Sequence, residues 1–323
     1  MKRIALLLLV VLTSVACVAW GAGEKPKIAF ALHGTVDDGN FNGNAYKAIQ
    51  ELKKQGYEVI YTENVSPGDA ARVLRKMATE GQDLIFGYSG TYINAVLDVA
   101  PSFPKSTFVT AAGPGLDLPP NVWSITMDWE DSFFMAGALA GLMTKTNKVG
   151  HIGGIPIPIY VSSAKAFEAG GKYVNPDLEF YDAFVGDFND LVGGKKSAKA
   201  QIENGADIIV CTQDLGVLGV IEAARGGKNV MVIPNMGDQY ELAPEVILTS
   251  IDLGFTQAIL DVVKEVTAGH KTGEVVIKWV NDRATLADFR GKVPADVKAK
   301  LKAVDKKMRA GEIKYPTQAE LFK

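Results

Sequence analysis

Lys27-Ile28-Ala29-Phe30-Ala31-Leu32 is an apolar run of strand length, and Asp37-Asp38-Gly39-Asn40-Phe41-Asn42 follows it before a helical stretch from Ala45. Far along the chain the pattern returns. Phe180-Tyr181-Asp182-Ala183-Phe184-Val185 leads into Gly186-Asp187-Phe188-Asn189-Asp190 and a helical stretch from Lys195. Each time a strand ends in a Phe-Asn tag that opens a helix. A second echo supports the first: Gly81-Gln82-Asp83-Leu84-Ile85-Phe86 is matched by Gly205-Ala206-Asp207-Ile208-Ile209-Val210, and each sits between two helical stretches. A repeat this long is no solenoid. It predicts two similar α/β lobes. Ligands of open α/β sheets sit outside the carboxyl ends of the strands, where loops meet helix N-termini. Two lobes face to face therefore put Phe41 and Phe188, read as equivalent strand-end positions, on opposite walls of one cleft. Two aromatic walls with polar neighbours suit a flat, polar small molecule.

The 323 residues are enough for about two domains. A hydrophobic content of 47% with 22% charged residues is ordinary globular composition. The net charge of −3 gives no reason to expect nucleic acid. The basic residues from Lys298 to Arg309 alternate with acidic and apolar ones, which describes a solvated helix face. Lys2 and Arg3 precede an apolar run from Ile4 to Val15, too short to span a bilayer, so residues 1–21 read as a signal peptide. Two cleavage readings stand side by side: a lipoprotein box ending at Cys17, or ordinary cleavage after Ala19-Trp20-Gly21. In both the mature chain works outside the cytoplasm. The other cysteine, Cys211, closes an apolar strand and reads as a small core residue. His33, His151 and His270 are far apart in sequence, and no metal-ligand spacing occurs. No cofactor, metal or catalytic group is predicted.

Strands are predicted at 27–32, 58–61, 83–87, 107–110, 122–127, 148–152, 179–185, 207–211, 230–233 and 246–252, and near 274–280. Helices are predicted at 43–54, 68–80, 92–99, 131–144, 160–173, 195–203, 216–225, 254–268 and 294–309. This alternation implies parallel sheets covered on both faces. Residues 24–127 plus 254–281 form the first lobe of this reading, and 128–253 plus 282–323 the second. Three crossings, near Met127, Leu253 and Asp282, make a hinge.

Several ordered stretches resemble the basic membrane protein family, receptors of ABC importers that include purine nucleoside receptors. They are Asp37-Asp38-Gly39-Asn40-Phe41-Asn42; Phe133-Phe134-Met135-Ala136-Gly137, with Met143-Thr144-Lys145-Thr146-Asn147-Lys148-Val149-Gly150; Asp187-Phe188-Asn189-Asp190; and Gly237-Asp238-Gln239 with Leu248-Thr249-Ser250. The resemblance spans the mature chain. It implies a fold of two Rossmann-like lobes with parallel sheets, of the periplasmic-binding-protein type I. It also implies a purine-like ligand sandwiched by Phe41 and Phe188, with Asn42, Asp190 and Asp238 bonding its polar edge. An ABC permease in the membrane is the implied partner, and the protein is expected to act as a monomer.

Two departures from the family pattern bear on the ligand. Leu32 or His33 stands where nucleoside receptors carry a first-strand Asp, and Ile251-Asp252-Leu253 stands where they carry a Lys. Ribose is therefore expected to add little, and a free nucleobase or another flat heterocycle is the expected ligand.

Each candidate has a plainer reading. Phe41 and Phe188 could be core residues at loop ends. Asp38 and Asp190 could be helix caps. Trp129, at a crossing, is read as a third cleft wall. Tyr88 and Asp214 occupy matching strand-end turns and could be plain turn residues. The acidic run Asp128, Glu130, Asp131 is the most enzyme-like feature, but acids at a helix start are favoured by the dipole. A secreted nucleoside hydrolase and a sensory receptor without transport are the competing functions. The first lacks an activated nucleophile or metal; the second uses the same cleft closure as import.

Overall fold

The computed structural model describes residues 25–322. Strand β1 (Ile28–Leu32) is buried at every residue, as an unbroken apolar run must be when helices cover both faces of a parallel sheet. Helix α1 (Phe41–Lys54), β2 (Val59–Thr62), α2 (Ala70–Thr79), β3 (Leu84–Tyr88), α3 (Ile93–Val99), β4 (Thr107–Ala112) and β5 (Val122–Met127) follow. Then come α4 (Glu130–Met143), β6 (Lys148–Gly153), α5 (Pro158–Val174), β7 (Glu179–Phe184), α6 (Leu191–Glu203), β8 (Ile208–Thr212), α7 (Val217–Gly226) and β9 (Met231–Pro234). The chain ends with β10 (Ile251–Asp252), α8 (Phe255–Thr267), β11 (Gly273–Ile277), β12 (Thr285–Leu286), α9 (Ala295–Arg309) and α10 (Gln318–Leu321). Among the described residues no helix is long and apolar enough to cross a membrane.

Two parallel sheets carry the fold. The first runs β2-β1-β3-β4-β5-β11 and the second β7-β6-β8-β9. Counted from their own first strands, both begin in the order 2-1-3-4. The Gly-x-Asp echo is therefore structural, since it leads into β3 and β8, the third strand of each sheet. The Phe-Asn tags are different. Phe41 follows β1, the first strand of its sheet, whereas Phe188 follows β7, the second strand of the other. They are not equivalent positions, and the counterpart of the β1–α1 junction is the β6–α5 junction that carries Tyr160. Both tags still lie at carboxyl strand ends, so both reach the same side of their sheets.

Other differences are local. A strand over 246–252 was predicted, but only the Val232–Ile247 bridge and the two residues of β10 take extended pairing, the latter with β12 in a small antiparallel ribbon. The strand near 274–280 stops at Ile277 because the N–H groups of Trp279 and Val280 turn to the carboxylate of Asp131, at 3.0 and 3.2 Å. Helix α6 begins four residues earlier than predicted because Asp190 caps it. Gly56, Gly81 and Gly205 end their helices in the left-handed region, where glycine has no side chain to clash.

Helices α4 and α5 pack backbone to backbone. A methyl group at Gly137 would lie 1.9 Å from the carbonyl oxygen of Phe167, and one at Gly170 the same distance from that of Phe134. Glycine at both positions lets the two backbones touch. Helix α4 is consequently buried on nearly all sides, which is why it reads as apolar around its whole circumference.

Candidate ligand-binding cleft

The candidate site is built from strand ends and the helix starts that follow them. Phe41 opens α1 and is 7% exposed; its ring stacks on Tyr88, at the end of β3, with centroids 4.2 Å apart and planes 17° apart. Phe255, the first residue of α8, meets Phe41 edge-on at 5.0 Å and Trp129 at 5.8 Å. Trp129 is tilted against Tyr160 at 6.4 Å, and Tyr160 against Phe188 at 5.3 Å. A continuous chain of rings thus runs from Phe41 in the first lobe to Phe188 in the second. The indole N–H of Trp129 donates to Ser163 Oγ at 2.9 Å, which satisfies its polar atom and fixes the ring. Gly154 lies flat against the Phe188 ring, with no room for a side chain between them.

Polar groups cross between the lobes at the same place. Asn40 Nδ2 donates to the carbonyl of Gln213 at 3.0 Å, and Asn44 Nδ2 to that of Met236 at 2.7 Å. His33 Nε2, just past β1, lies 3.8 Å from Asp214 Oδ2, just past β8. The Tyr88 hydroxyl is buried without a hydrogen-bond partner, as are His33 Nδ1 and Asn40 Oδ1. Buried polar atoms are nearly always satisfied, which makes these three unusual. Burial holds the Tyr88 hydroxyl well above the usual tyrosine range, and nearby Asp38 and Asp214 add to the effect. Burial likewise raises Tyr160, with Asp214 contributing. Both phenols are neutral hydrogen-bonding groups at physiological pH. Burial also raises the carboxyl of Asp214, against the opposing influence of His33.

The nine residues singled out from the sequence divide into two sets. Phe41, Tyr88, Trp129 and Phe188 are brought into one run of rings, and Asp214 faces His33 across the lobes. Asp38 does not offer its carboxylate to the site: that group accepts the backbone N–H groups of Asn40, Asn42 and Gly43 and the side-chain amide of Asn42, and so holds the first turn of α1 together. Asn42 is buried by the same contact and turns its other amide atom to the Gly34 N–H. Asp190 accepts from the Gly193 N–H at 2.9 Å as the cap of α6. Asp238 is exposed, accepting from the Tyr240 N–H. Arg290, distant in sequence, pairs with its carboxylate. Tyr160, Phe255 and Asn40 were not singled out. Tyr160 and Phe255 each lie near the start of a helix where an apolar face is expected, so nothing local separates them from core residues. Counting the β6–α5 junction as the partner of β1–α1 would have pointed to Tyr160.

The residues behind the cleft have structural work. His151 on β6 bridges Asp182 on β7, at 2.7 Å from Nδ1, and Thr212 on β8, at 2.8 Å from Nε2. The line resembles a catalytic triad, but its imidazole is wholly buried within the sheet, and it ties three adjacent strands together. Cys211 is buried, and burial pushes its thiol up to about 12, as suits an inert core residue.

A family model described as ABC transporter substrate-binding protein PnrA-like matches residues 25–317. The chain belongs to this family. Similar relatives of the Bmp family include basic membrane protein B of Borreliella burgdorferi, 30% identical over 71% of this chain and 70% of the relative. A purine-binding protein of Brucella abortus is 27% identical over 90% of this chain and 83% of its own. Among solved structures, an ABC transporter solute-binding protein of Conexibacter woesei superposes with a TM-score of 0.75 at 28% identity, covering 91% of this chain and 99% of that one. One from Aeropyrum pernix reaches 0.81 at 20% identity over 90% and 94% of the two chains, and shares the fold. The two-lobed parallel α/β architecture is that of periplasmic-binding proteins of type I. Bmp-family proteins are solute-binding components of ABC transporters.

Proposed function

We propose that this protein is the extracytoplasmic receptor of an ABC importer and binds a purine-like nucleobase or nucleoside between its lobes. The observation that carries this reading is the run of six rings, Phe41, Tyr88, Phe255, Trp129, Tyr160 and Phe188, bordered by the partnerless polar atoms of Tyr88, His33 and Asn40. Aromatic faces hold a planar heterocycle by stacking, and polar atoms at the border fix its edge. The similarity to a purine-binding relative supports the same ligand class. Binding works by differential affinity: a ligand touching both lobes favours the closed arrangement, in which Asn40 and Asn44 already reach across. The hinge is assigned to the passages near Met127, Leu253 and Asp282. The closed form is what a permease in the membrane would read. Export is attributed to residues 1–21, which lie outside the described residues, as does Cys17, where a lipid anchor would attach.

Protein purified from its native envelope without denaturation, then extracted with acid, tests the reading directly. Mass spectrometry should show a purine base or nucleoside in near-stoichiometric amount. A sugar or amino acid in that extract, with no purine, would refute the assignment.

A further inference from the structure

Asp214 stands where the two lobes meet. Its side chain is 11% exposed, it faces His33 of the opposite lobe at 3.8 Å, and its backbone N–H donates to the carbonyl of Phe188 at 2.9 Å. The His33 separation is longer than a hydrogen bond, so the imidazole leaves the carboxylate's acceptor positions unfilled. Neighbouring carboxylates are committed elsewhere. Asp38 is saturated by the first turn of α1, Asp190 caps α6, and the exposed Asp187 accepts from the Asn189 N–H. The Asp214 oxygens, by contrast, have His33 at 3.8 Å as their charged neighbour and, among the described residues, no donor within hydrogen-bond distance.

We propose that Asp214 selects which edge of the ligand enters, by accepting two parallel N–H groups from it. A carboxylate can only accept, and its two oxygens match a pair of adjacent donors. A guanine edge, with an amino group beside a ring N–H, supplies such a pair. Hypoxanthine supplies one donor. Adenine presents a donor beside an acceptor, and the acceptor meets the carboxylate unfavourably. The ligand class predicted is therefore a 2-amino-6-oxopurine. This inference rests on the purine reading above and narrows it.

The test is calorimetric titration of the full mature protein and of Asp214→Asn with two sets of ligands: guanine, hypoxanthine and adenine, and guanosine, inosine and adenosine. Within each set the comparison is internal, so the presence of ribose does not matter. The wild type should favour the guanine member over the hypoxanthine member by roughly tenfold to a hundredfold, the discrimination typical of a bidentate contact to a base edge. In Asp214→Asn that preference should fall to about threefold or less, and the adenine member should gain, because an amide both donates and accepts. Asparagine keeps the shape and removes a buried charge, so the unliganded variant should unfold at the wild-type temperature or above. The wild-type ratio decides the matter even if the variant folds poorly. Purines that bind with a guanine-to-hypoxanthine ratio near one, or a ratio that Asp214→Asn leaves unchanged, would overturn this inference alone. Failure of every purine to bind the wild type would overturn it together with the purine reading.

Discussion

Phe188→Ala should weaken purine binding by roughly tenfold to a hundredfold while leaving the unliganded protein close to its wild-type stability. Stacking of a base on an aromatic side chain is worth on the order of 1–3 kcal/mol per contact by alanine substitution. Phe188 is half-buried, and its ring neighbour Tyr160 sits on α5, so little of the core depends on it. Phe41→Ala should lose binding to a similar degree but also destabilise the fold, by about 3–5 kcal/mol, since Phe41 is buried and packs on Tyr88 and Phe255. Titration calorimetry and chemical unfolding on both variants separate the two effects. Equal losses of stability, with binding of the folded fraction intact, would return both residues to the core and remove the aromatic clamp.

Gly137→Val should destabilise the protein by about 3 kcal/mol or more. At that position even a methyl group meets the Phe167 carbonyl oxygen at 1.9 Å, and a backbone atom cannot swing aside as a side chain can. Overpacking of a close-packed core typically costs about 1–3 kcal/mol, and this case adds a second branch to a helix–helix contact between backbones. Gly226→Ala is the matched control. It lies at the end of α7 with no heavy atom near the added methyl group, so its stability should change by less than about 1 kcal/mol. Urea unfolding of the two variants compares them; similar midpoints would show that α4 and α5 can shift apart at little cost.

Much of the architecture could be read from the chain because buried parallel strands leave long apolar runs and their helices keep a regular period. Ile28–Leu32 and Ile208–Thr212 are legible for that reason. Topology was less so. The Phe-Asn tags look like copies, yet one follows a first strand and the other a second, because similarity over a few residues does not report strand order. Of the nine candidates, Phe41, Tyr88, Trp129 and Phe188 join one run of rings and Asp214 faces His33 across the lobes, all at or just past the ends of strands. Asp38 and Asp190 follow their plainer reading, because a carboxylate just before a helix finds unpaired N–H groups within reach. Asp238 could not be placed from its neighbours, because its partner Arg290 arrives from a distant loop. The His151 bridge likewise depends on strand register, which no local pattern reports.

The central claim is that a purine-like solute is held by rings from both lobes. Thermal unfolding of the mature protein against a panel of free nucleobases, nucleosides, sugars and amino acids tests it most directly. A ligand present at a hundred times its Kd stabilises by about 2.7 kcal/mol, which such a scan resolves. At least one purine should raise the midpoint clearly, the free base acting as well as its nucleoside, since Leu32, His33 and Leu253 supply neither the acid nor the lysine that the resemblance associates with ribose. Stabilisation by a sugar or an amino acid, with every purine silent, would contradict the account.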